Sequence, residues 1–247
     1  MMWLPDYGVG MFAMANLTYA GPATPMSDAF DALRKTGALR PRELPPSTAL
    51  TAARDSIVRL WGKWNDAEAE ALAADNFFLD TSAVRRREEI EKIKADVGRC
   101  SQMGEVQPEN LLRGKFRIGC ERGFVDAAFT LAPTMPPRLQ FLRFTPAVKP
   151  EGKTKAAVDE LASLVGKPSA KRLKALSIPE LPRQMEALRS SYGNCRVGET
   201  VGGNGNSQVR VRFACDRGPV EVQMRFDDSA KLREVAFIRP SDISCVP

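Results

Sequence analysis

A chain of 247 residues with 43% hydrophobic side chains can hold one large domain or two small ones with buried cores. Its 36 basic and 30 acidic residues leave a formal net charge of +6, but the signs are interspersed. The longest basic run, Arg85-Arg86-Arg87, is followed at once by Glu88, Glu89 and Glu91, which suits a solvated helix face with local ion pairs and argues against a nucleic-acid partner. No histidine occurs, which removes histidine triads, histidine general bases and most catalytic zinc sites, and no segment is long enough to span a membrane.

In chain order, residues 9–18 are apolar and bounded by Gly8 and Gly21-Pro22, so they read as a strand that must be buried. Left exposed, such a strand would be an aggregation-prone edge. A helix is expected over 27–35, closed by Gly37, and 41–46 is a proline-rich linker. Leu50, Ala53, Ile57, Leu60 and Trp64 then recur at helical spacing. A short helix follows over 67–74, and a third over 82–97 with Val84, Ile90, Ile93 and Val97 inward. After Gly98 the period changes to two, giving strands near 99–107, 112–120, 124–131 and 139–144. The order then repeats. Helices are expected near 155–165, 169–175 and 181–192, and strands near 195–201, 208–215, 220–226 and 232–238.

This second set is a copy of the first. Cys100 and Cys120 lie 20 residues apart, as do Cys195 and Cys215, and the second pair follows the first by 95. At that offset Gly98 meets Gly193, Arg117 meets Arg212, Arg122 meets Arg217, Gly123 meets Gly218 and Val125 meets Val220. The shared pattern is G-x-C, a basic strand, then C-[ED]-R-G-x-V-[DE]. Three parts follow: a strand and helix over 1–46, a first repeat over 47–148 and a second over 149–247. Helices followed by strands make each repeat α+β, with three helices and a four-stranded antiparallel sheet.

The midpoint of each cysteine pair, Asn110 and Gly205, falls on turn-forming residues. Each pair therefore flanks a hairpin symmetrically, which places its members opposite one another within disulfide reach. Four buried free cysteines are the alternative. Metal ligation lacks both the spacing and histidine, so neither metal nor cofactor is expected. Cys245 is the unpaired fifth and reads as a free thiol. Two disulfides imply the periplasm or the extracellular space, yet the start is no signal peptide, so an upstream segment is expected to be missing.

Three helices before a four-stranded antiparallel sheet resemble the cystatin-like roll of the nuclear-transport-factor-2-like superfamily. Residues 4–16, Leu4-Pro5-Asp6-Tyr7-Gly8-Val9-Gly10-Met11-Phe12-Ala13-Met14-Ala15-Asn16, followed by a helix, resemble the late strand and C-terminal helix of a serine β-lactamase-related, penicillin-binding-protein-like hydrolase. Together the resemblances imply the C-terminal accessory region of an exported hydrolase, with the upstream catalytic domain as its partner. That family's S-x-x-K nucleophile motif is absent. Lys35-Thr36-Gly37 and Tyr192-Gly193-Asn194 match its other motifs by type, but they occur in reverse order and on the wrong elements. No catalytic residue is assigned.

Several groups remain as candidates. Trp61, Trp64, Phe77 and Phe78 either line an apolar pocket or fill the core. Arg122 and Arg217 either bind an anion or serve the turn they sit in. Arg113, Lys115 and Arg117, with Arg210 and Arg212, are either a basic face for an anionic cell-envelope polymer or a solvated sheet side. Asp126 or Glu221 would be the base if one roll were an isomerase- or dehydratase-type enzyme. Asn16-Leu17-Thr18 fits a glycosylation sequon, but its expected strand argues against use. The reading that results is a non-catalytic region for domain packing, dimerisation or ligand binding. A small enzyme and an anionic-polymer binder are the alternatives.

Overall fold

The structure is a computed structural model that describes residues 1–238 apart from 18, 19, 43, 167 and 168. It forms two compact units, Met1–Pro45 and Pro46–Pro247.

In the first unit β1 (Met2–Leu4) and β2 (Val9–Met11) form an antiparallel hairpin in which Trp3 opposes Gly10. Helix α1 (Ala23–Lys35) buries Met26 and Phe30. It begins before the expected position because Pro25 lies in the first turn, where a missing N–H costs nothing. The long buried strand expected over 9–18 is not formed. Strand β2 ends at Met11, and Phe12 and Met14 are 74% and 88% exposed. The hairpin offers only three residue pairs, so the chain beyond Met11 has no strand partner to hold it extended. Thr18 of the sequon lies outside the described residues, as does Cys245.

The second unit is α+β, and its elements occur in two successive sets. Helices α2 (Thr48–Gly62), α3 (Asp66–Leu72) and α4 (Ala83–Val97) precede β3 (Cys100–Met103), β4 (Gln107–Pro108), β5 (Arg113–Cys120), β6 (Gly123–Ala132) and β7 (Arg138–Val148). Helices α5 (Gly152–Gly166), α6 (Ala170–Ala175) and α7 (Leu181–Tyr192) precede β8 (Cys195–Gly203), β9 (Gln208–Cys215), β10 (Gly218–Phe226) and β11 (Leu232–Ile238). Side-chain oxygens of Ser47, Asn65, Ser82 and Ser169 accept from backbone N–H groups three residues on, which starts four of these helices. One hydrophobic cluster lies in each set, around Ile57, Phe116 and Phe129 in the first and Leu161, Val211 and Phe213 in the second.

Two details of the helical stripes differ from expectation. Helix α2 ends at Gly62, so Trp61 is buried in its last turn while Trp64 lies beyond it. In α4 Val84 is half exposed. It sits six residues before Ile90, about 120° off the apolar stripe, and Arg86, four residues before Ile90, takes the inward place.

The sheet also differs. Instead of a separate four-stranded sheet in each set, nine strands form one continuous sheet in the order β11-β10-β9-β8-β7-β6-β5-β3, with β4 also on β5. Apart from an isolated parallel bridge that joins Ala73 to Leu139 of β7, every pairing between these strands is antiparallel except the junction, where β7 meets β8 in parallel through Ala147 and Gly203. Joining the sheets there pairs two edges that would otherwise present free N–H and C=O groups.

The junction fixes which way each half faces. Bridged residues point to the same side of a sheet, and successive residues alternate. Ala147 opposes Phe124, on the side away from buried Val125, so it belongs to the open face of the first half. Gly203 opposes Val209, which is buried, so it belongs to the core face of the second half. The two core faces are therefore on opposite sides of the shared sheet. In agreement, a groove of about 470 Å3 brings Glu89, Lys92 and Asp96 of α4 together with Gln208, Arg210 and Gln223 from the open face of the second half.

Candidate functional site

The repeated cysteine motif builds the same device twice. Cys100 opposes Cys120 across β3 and β5, Cys195 opposes Cys215 across β8 and β9, and both pairs are disulfides. The acid after the second cysteine accepts the N–H that follows the repeated glycine. Glu121 Oε2 takes it from Arg99 at 3.1 Å, and Asp216 Oδ2 takes it from Asn194 at 2.9 Å. The arginine then reaches the end of the preceding helix. Arg122 donates to the carbonyls of Asp96, at 2.7 Å, and Ala95 at the end of α4. Arg217 donates to those of Ser190, at 2.6 Å, and Arg189 at the end of α7. A helix C-terminus carries unsatisfied carbonyls and partial negative charge, so a guanidinium is well placed there. The two arginines put forward as anion-binding thus have helix carbonyls as their partners.

Glycine is required at the hinge of this device. Gly98 has φ 77° and ψ −163°, and Gly193 has φ 79° and ψ −147°, a region closed to other residues. A Cβ on Gly98 would stand 2.8 Å from Glu121 Oε2, and one on Gly193 would stand 2.7 Å from Asp216 Oδ2.

The aromatic cluster divides. Trp61 and Phe77 are each 2% exposed, and the Trp61 ring packs on Phe144 at 5.0 Å. Phe78 meets Phe77 edge-on at 4.8 Å, and both Phe78 and Trp64 are partly buried against the same core. Trp64 Nε1 donates to Asp66 at 2.7 Å. Arg86 was read from the sequence as part of a solvated run. Its guanidinium instead lies 4.0 Å from the Phe77 ring centre and donates to the carbonyls of Phe77, Thr81 and Leu142. Burial lowers its pKa from the usual arginine value, against the opposing pull of Glu89 and Asp80. Only its position on the apolar stripe distinguished it from Arg85 and Arg87.

Both candidate carboxylates are paired, and the pairs are equivalent. Arg117 binds Asp126 through two bonds, of 2.8 and 3.0 Å, across β5 and β6. Arg212 binds Glu221 at 2.8 Å across β9 and β10, with Arg210 also 3.6 Å from that carboxylate. The bond to Asp126 is the main cause that raises the Arg117 pKa, and the charges of Asp126 and Glu199 add to it.

The basic strands do not share a face. Arg113, Lys115 and Arg117 alternate with buried Gly114, Phe116 and Ile118, and lie on the open face of the first half. Arg210 and Arg212 lie on the open face of the second half, on the other side of the sheet. The first of these faces contains more than the sequence indicated. Across β5, β6 and β7 its rows are Arg113–Thr130–Phe141, Lys115–Ala128–Arg143 and Arg117–Asp126–Thr145. Arg143 and Phe141 come from a strand whose alternation is broken by a bulge between Thr130 and Leu131, which hid them.

Among the described residues no group of three or more histidine, cysteine, aspartate or glutamate side chains is placed to hold a metal, and no helix is long and apolar enough to cross a membrane. No model of a known family, no curated protein and no solved structure matches this chain.

Proposed function

We propose that the chain is the non-catalytic accessory region of an exported β-lactamase-related hydrolase. In this reading residues 47–148 and 149–247 are two cystatin-like, nuclear-transport-factor-2-like rolls that serve packing, dimerisation or ligand binding, and residues 1–46 are the remnant of the hydrolase domain. The observation that carries it is the apolar interior of both sets. Among the described residues, Thr154 is the one buried polar or charged residue, and both cores are built from large apolar side chains such as Phe116, Phe129, Phe213 and Met224. Asp126 and Glu221, the candidate bases, are paired with arginines on the open faces rather than enclosed in a cavity. The two disulfides support export. The exposed Trp3, Phe12 and Met14 give the N-terminal unit apolar surface for a neighbouring domain to cover.

A turnover assay with a chromogenic cephalosporin and a D-amino-acid ester tests this. No hydrolysis above background is expected. Saturable turnover abolished by a serine-directed inhibitor would sink the proposal. The parentage is tested separately by the genomic sequence upstream of Met1, where an in-frame S-x-x-K is expected.

A further inference from the structure

We infer that the open face of the first half-sheet binds an acidic polysaccharide, with Lys115 and Arg143 as its central anion contacts. The inference rests on the non-catalytic reading above and supplies its ligand class.

Charge is the first argument. The face presents Arg113, Lys115, Arg117 and Arg143 with one carboxylate, Asp126, inside it, Glu109 at its margin beside Arg113, and Glu199 of β8 near enough for its charge to act on Arg117. Asp126 is already held by Arg117. Neither Lys115 nor Arg143 has a carboxylate within ion-pair distance among the described residues, and both are exposed. These two cations flank Ala128 in one row across three adjacent strands. Their Cα atoms are thus two strand spacings apart, about 10 Å. Both side chains are long enough to close on one carboxylate above the small Ala128, beside the Thr130 hydroxyl.

Shape is the second argument. Along β5 the cations recur at alternate residues, about 7 Å apart. A ladder of that kind suits a linear polymer with regularly repeated charges better than a single small anion. Ala128 and Thr130 leave a shallow floor, bounded by the half-buried rings of Phe124 and Phe141. The Arg117 guanidinium lies 3.5 Å from the Phe124 ring centre and the Arg143 guanidinium 5.3 Å from that of Phe141, so both cations are held upright on aromatic platforms. The compartment is the third argument. Two disulfides belong to an oxidising space. There the abundant linear polyanions are acidic glycans rather than nucleic acids. The second half-sheet offers no such site, because Arg210 and Arg212 are both drawn to Glu221.

The test uses the full chain with polygalacturonate as probe, neutral dextran as control and single-stranded oligo-dT as competitor class. Polygalacturonate should bind, weaken with added salt, and bind roughly tenfold or more weakly to Lys115→Gln/Arg143→Gln. Arg225→Gln, on the other half, should leave binding unchanged, and both variants should unfold at the parent's midpoint because all three positions are exposed. The inference is overturned by no binding, by equal binding to dextran, by full affinity in the double variant, or by oligo-dT binding as tightly as polygalacturonate. Release of reducing ends from the polymer is measured in parallel. Cleavage would refute the non-catalytic reading, whereas absent binding without cleavage would refute the ligand alone.

Discussion

Replacing Gly98 by alanine tests the cysteine-turn device through the sign of its effect. Where alanine fits the native backbone, a Gly→Ala change stabilises a protein by about 0.4–1 kcal/mol, because the unfolded chain loses freedom. Gly98 should do the opposite. Its φ of 77° with ψ of −163° costs a side-chain-bearing residue about 1–3 kcal/mol. The new Cβ would also stand 2.8 Å from Glu121 Oε2, which would have to release the Arg99 N–H. That bond contributes about 0.5–1.5 kcal/mol. The sum is a destabilisation of about 2–4 kcal/mol, and Gly193→Ala should match it, with Asp216 in place of Glu121. Urea unfolding followed by circular dichroism gives both values from the shift in midpoint at constant slope. In a Glu121→Ala background only the backbone cost should remain, so the alanine penalty there should fall by about 1 kcal/mol. A neutral or stabilising Gly98→Ala would refute the reasoning, and so would a penalty that is the same with and without Glu121.

Two further outcomes follow from features already described. Removing either disulfide as a Cys→Ser pair should lower stability by about 3 kcal/mol, the loop-entropy value for a 20-residue separation, with the two bridges equivalent within error in chemical denaturation. Asp227 accepts from Ser229, Lys231 and Arg233, and its bond from the Ser229 hydroxyl is the main cause that holds its carboxyl well below the usual carboxylate range. The unfolded chain therefore binds the proton first on acidification. The stability from this turn is complete above about pH 4 and is lost as pH falls toward the folded value. Asp227→Asn should flatten the acid limb of a stability-against-pH curve below that point, and an unchanged limb would count against the assigned cause.

The helix stripes, the strand positions and the hairpin register were legible because each is set locally. A disulfide between Cys100 and Cys120 needs only a turn near Asn110 and paired strands, and both are written within 20 residues. The role of Arg122 was not legible, because the helix carbonyls it meets belong to Ala95 and Asp96, more than 20 positions earlier, and are backbone atoms without sequence identity. Arg86 was misplaced because its charge was weighted above its phase on α4. The open basic face was half legible. Arg113, Lys115 and Arg117 announced it by strict alternation, whereas Arg143 and Phe141 joined it through a register shift that no periodicity shows. The single sheet could not be read at all. It hangs on one parallel bridge, Ala147 to Gly203, between two small residues that no periodicity marks.

That bridge is a head-to-tail contact: the last strand of one set meets the first strand of the next. Such a contact uses two different surfaces, so it does not close on itself. Among the described residues, the counterparts of those surfaces stand at the two ends of the sheet, β11 at one and β3 at the other. Two chains aligned end to end would face each other with the same edges that join the halves within one chain. What blunts this is the quality of the β3 end. The strand there is four residues long, it is interrupted before β4, and β4 carries Pro108, which has no N–H to give. The broken first strand of the leading set thus makes this end a poor partner for end-to-end pairing, although the same kind of edge joins the two halves within the chain.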